Sequence, residues 1–265
     1  MKKTLSGLCL VGFCLSLAAP LLAQEETLAR VAYWNVKRAH WSSYEENWAE
    51  NQKPILDKLL ADGKIKEYGF TRNFVHQEDG YTHVNWWTAN NLAGIEAVFE
   101  ALQARNDELS DRERARRTEE LADSIEGHRD VLVQSVVFES RPSHLDRHGY
   151  IVGATIPVKY GHDAEWMEDW TQHNKPLLDE LLANGTILSY GMDIEIVHTE
   201  APGIRDLWYT VPDAAAHARV RAANQAARNK LSKKDREARD NAFQSHVTVS
   251  KHRDSLNSII YYAVN

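Results

Sequence analysis

Cysteine is almost absent from this sequence. Its two cysteines, Cys9 and Cys14, both lie within residues 1–23. Two lysines open that stretch, an uncharged run follows, and small residues end it at Ala23, a pattern typical of a cleaved signal peptide. We therefore expect a periplasmic or secreted mature chain without cysteine, which excludes a disulfide framework, a thiol nucleophile and a cysteine-bound metal. An uncleaved anchor is the alternative, because the uncharged run approaches the length of a spanning helix.

Positive charge is also scarce. The chain has 31 Lys and Arg against 38 Asp and Glu. Removal of residues 1–23 takes away Lys2 and Lys3, so 29 basic residues remain against 38 acidic ones and the net charge is −9. This balance argues against nucleic acid or an anionic membrane as a partner. Hydrophobic residues make up 43% of the chain, enough for a packed core.

Several familiar catalytic motifs are missing. The sequence has no Gly-x-Ser-x-Gly nucleophile elbow and no glycine-rich phosphate loop. Its histidines lack the close spacing of a metal site on one helix, so no metal ligands are predicted, and a metal site would have to combine residues distant in the sequence. A serine hydrolase triad and a nucleotide-binding loop have no support.

A long internal repeat is present instead. The stretch 51–69 contains Lys-Pro, an apolar stripe, glycine and Tyr-Gly, and the stretch 173–191 repeats it in register. Such self-similarity must be recognised before a fold is proposed. It predicts two similar domains over residues 28–138 and 150–265, joined by a linker at 139–149.

Hydrophobic periodicity gives the same elements in both halves. Each half begins with a segment in which apolar and polar residues alternate, as in a strand. An amphipathic helix interrupted by Pro54 or Pro176 follows, and then come two strands, a second helical region and a final strand rich in β-branched residues. The second helical region of the first half is predicted as one helix over 92–123. The order strand–helix–strand–strand–helix–strand is that of a ferredoxin-like α+β unit, whose sheet has one face without helices. We expect the two bare faces to pack together.

With this repeated order and the aromatic-helix, Lys-Pro, glycine and Tyr-Gly run, the chain resembles the dimeric α+β barrel superfamily. That group includes EthD-like, YCII-like and NIPSNAP-like proteins and both haem-degrading and cofactor-free monooxygenases. The resemblance covers nearly all of residues 28–265. It implies a pseudo-dimeric barrel within one chain, with ligands held inside the barrel or between sheet and helices. A further homodimer stays open, as do haem and a histidine-bound metal as cofactors.

The candidate catalytic residues are those that recur at matching places near strand ends. Histidine serves as a general base or ligand near neutral pH, and lysine supplies positive charge for an anionic substrate. The alternative is that each histidine caps a strand end or bonds to a loop. The candidates are His40, His76, His162, His198, Lys37 and Lys159. The turns at His128 and His252 are expected to be structural.

Aromatic residues are the candidates for ligand contact. One ring of each pair on the third strand of a half should enter the core under the helices, while its neighbour faces the barrel interior and can stack on a ligand. Core packing is the alternative for every one of them. The candidates are Trp86, Trp87, Trp208, Tyr209, Tyr68 and Tyr190.

These features leave three functions open. The first is an exported protein that binds a small molecule in the barrel or the sheet–helix cleft. The second is a monooxygenase-like enzyme, cofactor-free or haem-dependent, that uses histidine and lysine. The third is a structural protein without a pocket.

Overall fold

A computed structural model describes residues 26–75, 80–197 and 203–265. The predicted signal peptide lies outside these residues. Within the described residues, the first half contains four strands and four α-helices: β1 (Thr27–Val36), α1 (Trp41–Asn51), α2 (Lys53–Ala61), β2 (Glu67–Asn73), β3 (His83–Ala89), α3 (Leu92–Asp107), α4 (Asp111–Ser124) and β4 (Ile125–Ser140).

The second half has the same order after one extra strand. Its elements are β5 (Ser143–Asp146), β6 (Tyr150–Pro157), α5 (Asp163–His173), α6 (Lys175–Ala183), β7 (Ser189–Glu195), β8 (Ile204–Val211), α7 (Ala214–Lys230), α8 (Lys233–His246) and β9 (Arg253–Val264). None of the helices in the described part of the chain is both long and apolar enough to cross a membrane.

The strands close into an eight-stranded barrel. The order is β2-β3-β1-β4-β7-β8-β6-β9, and β9 returns to pair with β2, while β5 adds to the edge of β9. The two long strands β4 and β9 join the halves. β4 pairs with β1 and then with β7, and β9 pairs with β6 and then with β2. Each half therefore completes the sheet of the other, and the predicted α+β barrel is confirmed.

Proline and glycine set the helix boundaries as the sequence predicts. Pro54 and Pro176 stand at the starts of α2 and α6, so each predicted helix is split in two. Gly63 and Gly185 follow α2 and α6 with φ of 69° and 76°, the left-handed conformation that a side chain disfavours. Pro157 is the last residue of β6, as expected of a proline at a strand end.

Two stretches differ from the sequence prediction. The single helix predicted over 92–123 is two helices, α3 and α4, because the side chain of Ser110 caps a new helix start by accepting from the Glu113 amide. The predicted linker 139–149 contains the end of β4 and all of β5. The division into domains at this place stays a prediction.

The barrel has a helix-covered exterior and a filled interior. Outside, one apolar core lies under each set of helices and includes Trp48 and Tyr68 in the first half and Trp170 and Tyr190 in the second. Inside, another cluster is built from strands and strand ends of both halves. Its buried members are Trp86, Leu145, Ile259, Tyr262 and Val264. Alternation along each strand sends neighbouring residues to the two sides.

Candidate functional site

The barrel interior contains a buried carboxyl group on β2. Glu67 is 1% exposed and accepts hydrogen bonds from Trp86 Nε1 at 2.9 Å, Thr88 Oγ1 at 3.2 Å and the Tyr262 hydroxyl at 2.9 Å. Burial raises the pKa of Glu67 to about 7, because three donors only partly replace the lost water. Ser189 Oγ lies 2.7 Å from the Tyr262 hydroxyl, so the network reaches the second half.

A second buried carboxyl group lies on β7. Asp193 accepts from Trp208 Nε1 at 2.7 Å and from Ser135 Oγ at 2.6 Å. Burial, together with the charges of Asp206 and Glu67, raises the pKa of Asp193 to about 7. Both carboxyl groups therefore hold a proton more tightly than exposed acids do, and each also binds an indole.

The sequence-based search for site residues missed Glu67 and Asp193. Strand alternation was the available signal: Tyr68 and Tyr190 face the helices, so the acids at odd positions of β2 and β7 must face inward. A carboxylate on an inward face is rare unless it is paired or protonated.

The aromatic candidates divide between the two sides of the sheet. Trp86 and Trp208 point into the barrel, where they bind the two carboxyl groups. Trp87 lies under the helices, with its ring 5.4 Å from Phe99, and the Tyr209 hydroxyl lies 3.2 Å from His217 Nδ1. These four side chains thus occupy two separate environments.

Tyr68 and Tyr190 lie in the two helix-covered cores. The Tyr68 hydroxyl donates to Asp57, and the Tyr190 hydroxyl donates to Asp179 and accepts from Lys175 at 3.1 Å. Both rings are fully buried. Their contacts are those of packed core residues.

A cavity opens between the sheet and helices α5 and α8. We call it the α5–α8 cleft; its volume is about 310 Å³. Its walls are mainly aromatic and aliphatic, with a few polar groups among them. The lining residues are Ile156, Trp166, Asp169, Trp170, His173, Asn174, Leu207, Ala238, Arg239, Ala242 and Phe243. Such a mixture is typical of small-molecule sites.

The corresponding region of the first half has a tryptophan where the second half has Ile156. Trp34 pairs with His83 across β1 and β3, just as Ile156 pairs with Arg205 across β6 and β8. The Trp34 ring lies 6.2 Å from Tyr44, its Nε1 donates to Asn85 at 2.6 Å, and His83 is fully buried. Isoleucine in place of tryptophan on the equivalent strand leaves the α5–α8 cleft open.

The candidate residues after β1 face an acidic side chain. Lys37 Nζ and His40 Nε2 each lie 3.5 Å from the carboxylate of Asp123 at the end of α4. These two candidates are therefore brought together, but at the exposed end of a helix and not in the barrel.

The equivalent candidates after β6 are arranged differently. Lys159 Nζ donates to the carbonyls of Gln244 and Ser245 at 2.9 Å each, so its charge stabilises the end of α8. His162 Nδ1 lies 3.2 Å from His246 Nδ1 and 3.0 Å from Glu165 Oε2. Sequence reasoning did not link His246 to this site, because it is distant from His162 along the chain.

Two histidines and one glutamate of the described residues could together hold a metal ion. His162, Glu165 and His246 each place one donor atom within 4.8 Å of the others. His76 and His198 lie outside the described residues. His128 lies within β4, with Nε2 3.0 Å from Asp130 and its ring stacked on Trp34, so the turn predicted there is a strand. His252 precedes β9, and its Nε2 lies 3.2 Å from Asp254.

Comparison with known proteins identifies the fold. No protein-family model matches the chain, and no curated protein matches its sequence. Two similar solved structures are proteins inferred to be monooxygenases. The one from Fusobacterium nucleatum subsp. nucleatum has a TM-score of 0.64 at 11% identity, covering 91% of this chain and 95% of its own. The one from Lactobacillus acidophilus has a TM-score of 0.62 at 10% identity, covering 91% and 97%.

The chain shares its α+β barrel fold with these two structures. At 10% to 11% identity this likeness concerns the fold alone. The α+β barrel of this chain is closed by its own two halves, since β4 pairs with β7 and β9 pairs with β2.

Proposed function

We propose that this protein binds a small organic molecule in the α5–α8 cleft. The observation that carries the proposal is the cavity of about 310 Å³ between sheet and helices, which is near the lower end of typical ligand pockets. The resemblance of the sequence to the dimeric α+β barrel superfamily also implies a ligand between the sheet and the helices. A haem has less support, because it needs a larger site than this cavity. Its proximal ligand would also have to be His173, the histidine among the lining residues.

The lining indicates the class of molecule. Trp166, Trp170 and Phe243 offer aromatic surfaces for a planar ring, and Arg239 offers a positive charge whose Nη2 lies 3.3 Å from Asn174 Oδ1. A planar aromatic compound with one anionic or strongly accepting group matches these walls. The fluorescent probe 1-anilinonaphthalene-8-sulfonate has this chemistry and serves as the test ligand.

The decisive variant is Ile156→Trp. Tryptophan is accommodated at the equivalent position of the first half, where Trp34 fills the same space, so we expect Ile156→Trp to fold and to block the cleft. In a fluorescence titration the wild type should bind one probe molecule per chain, and the variant should bind it at least about tenfold more weakly, because the larger indole would occupy space at the wall of the cleft that the ring of the probe needs.

The matched control is Trp34→Ile. This change removes the same side chain volume from the first half and leaves the α5–α8 cleft intact, so probe affinity there should stay at the wild-type value. Equal probe affinity in the wild type and in Ile156→Trp would rule the cleft out as the binding site. Arg239→Gln should lower the affinity of the cleft for the anionic probe but not for an uncharged analogue.

Oxidation of the bound molecule is the second candidate function. It draws on two proteins of this fold that are inferred to be monooxygenases, and on Asp169, a cleft residue whose Oδ2 lies 3.5 Å from His246 Nε2. This pair could move a proton at the edge of the cleft. Oxygen uptake in the presence of electron-rich phenols, lost in Ile156→Trp, would support this function.

Two further properties belong to the proposal. We infer that the chain is exported after removal of residues 1–23, and that its halves arose by duplication, as the repeated sequence and the repeated element order suggest. Cell fractionation with mass determination of the mature N-terminus tests export. A cytoplasmic protein that keeps Met1 would contradict it.

A further inference from the structure

We propose that His162, Glu165 and His246 form a binding site for a divalent first-row transition metal ion at the edge of the α5–α8 cleft. The proposal goes beyond ligand binding in the cleft and does not depend on it. It rests on the distances between the three donor atoms, on the support behind His246 and on a comparison with the first half.

The donor atoms have the spacing that a metal requires. His162 Nδ1 and His246 Nδ1 are 3.2 Å apart, and Glu165 Oε2 lies 3.0 Å from the first and 3.6 Å from the second. A tetrahedral ion with bonds of about 2.0–2.1 Å needs ligand atoms about 3.3 Å from one another. The three measured distances lie on both sides of that value, so a single ion can reach all three donors.

The donor set also has the right chemistry. Two imidazoles and one carboxylate suit zinc, iron, nickel and copper, whereas calcium and magnesium prefer oxygen donors alone. Three protein donors leave at least one coordination position for water or substrate. The Glu165 side chain is 64% exposed, so the open side of the site is accessible from solvent.

His246 is held from behind by a carboxylate. If Nδ1 binds the metal, Nε2 carries the proton, and Asp169 Oδ2 lies 3.5 Å from Nε2. A carboxylate on the far nitrogen is the usual partner of a metal-bound histidine, because it fixes the tautomer and the ring orientation. Asp169 also lines the α5–α8 cleft, so the metal position and the cleft share a wall.

The backbone brings the two histidines together. The Lys159 amide donates to the His246 carbonyl at 2.7 Å and the Thr248 amide to the Pro157 carbonyl at 2.9 Å, so the end of α8 is fastened to the end of β6. His162 is the capping residue immediately before α5. The donor positions are therefore fixed by strand and helix ends and need little reorganisation.

The first half offers an internal comparison. The Lys37 amide donates to the Ser124 carbonyl at 2.9 Å, in the same way that Lys159 donates to His246. His40 immediately precedes α1 as His162 immediately precedes α5, but Ser43 and Ser124 take the places of Glu165 and His246. The complete donor set is thus specific to the second half, although the backbone around it is shared.

The test is metal titration of the full chain without an affinity tag, after treatment with a chelator. Cobalt(II) chloride is the spectroscopic probe, because its visible bands report low coordination number, and zinc chloride is the competitor. We expect one cobalt ion per chain, with visible bands that zinc abolishes. His162→Ala and His246→Ala should each remove the bands, while the matched variant His40→Ala should keep them.

Asp169→Asn separates positioning from ligation. It leaves all three donors in place, so the cobalt bands should persist while affinity falls by about tenfold or more. Thermal melts by circular dichroism without metal show whether each variant folds. If His246→Ala does not fold, Glu165→Gln replaces it in the test, because the Glu165 side chain is exposed. The proposal is overturned if the wild type takes up no cobalt, or if His162→Ala takes up as much cobalt as the wild type. The contact between His162 and His246 would then be only a hydrogen bond. Probe binding in the cleft is measured separately, so either result can fail alone.

Discussion

Raising the pH from 5 to 8 is expected to lower the free energy of unfolding by about 2–3 kcal/mol through Glu67 alone, since a tenfold change in an ionisation constant is worth about 1.4 kcal/mol. The pKa of Glu67 is raised from 4.5 to about 7 by burial. The folded state therefore binds the proton more tightly than the unfolded state. This contribution is fully present below pH 4.5 and is lost as the pH rises through 7.

Asp193 adds a second contribution of the same sign. Its pKa is raised from 3.8 to about 7, mainly by burial and partly by the charge of Glu67. His83 acts in the opposite sense, because burial lowers its pKa, so its contribution is present above 6.5 and is lost as the pH falls. The effect of Glu67 must consequently be measured as a difference between two proteins.

The measurement is urea unfolding of the wild type and Glu67→Gln at pH 5 and pH 8. The glutamine oxygen can still accept from Trp86 and Thr88, and its amide can donate to the Tyr262 hydroxyl, which in turn donates to Ser189. We expect the two proteins to be similar at pH 5 and the variant to be about 2 kcal/mol more stable at pH 8. Glu96→Gln, on the exposed face of α3, is the control and should keep the wild-type pH dependence. Parallel curves for the wild type and Glu67→Gln would contradict a protonated Glu67.

Replacing Gly69 by alanine is expected to destabilise the protein by about 3 kcal/mol, the upper part of the range for overpacking. A β-carbon at Gly69 would lie less than 3.0 Å from three ring atoms of Trp86. The indole cannot retreat, because it lies inside a closed barrel and its Nε1 donates to Glu67. Gly191 has the same relation to Trp208, so Gly191→Ala should have a similar effect.

Gly127→Ala in β4 is the matched control. Its β-carbon would make an ordinary contact, 3.7 Å from Asn35 Cβ, and the free energy of unfolding should change by less than about 1 kcal/mol. A double-mutant cycle with Trp86→Phe tests the cause, because a smaller ring should recover part of the loss caused by Gly69→Ala. If Gly69→Ala is as stable as Gly127→Ala, the indole does not pack over Gly69.

The local elements were determined by the sequence alone. Pro54 and Pro176 cannot continue the hydrogen bonding of the preceding helix, and the glycines after α2 and α6 adopt a conformation that other residues avoid. Side chains around Tyr68 and Tyr190 likewise alternate between the two faces of the sheet, because a β-strand is pleated. These features depend on neighbouring residues, which is why they could be predicted without a structure.

The candidate site could be predicted only in part. The sequence drew attention to His162 because a histidine recurs after the first strand of each half. It did not identify His246 or Glu165 as partners, since the contact depends on fastening the end of α8 to the end of β6. Lys159 was expected to serve a substrate, and the structure shows its charge directed to the carbonyls that end α8.

The tertiary structure decided which faces are enclosed. Closure of the barrel pairs β2 with β9 and β4 with β7, strands that are far apart along the chain, and this closure places Glu67 and Asp193 away from water. It also decided where the α5–α8 cleft lies, because Ile156 lines it beneath α5 and α8, whereas Trp34 at the equivalent position packs against the core of the first half. The sequence by itself thus determined the repeated helices and strands, through local backbone and side chain preferences. Burial, altered pKa values and the approach of distant donor groups arise from long-range packing, which only the assembled barrel defines.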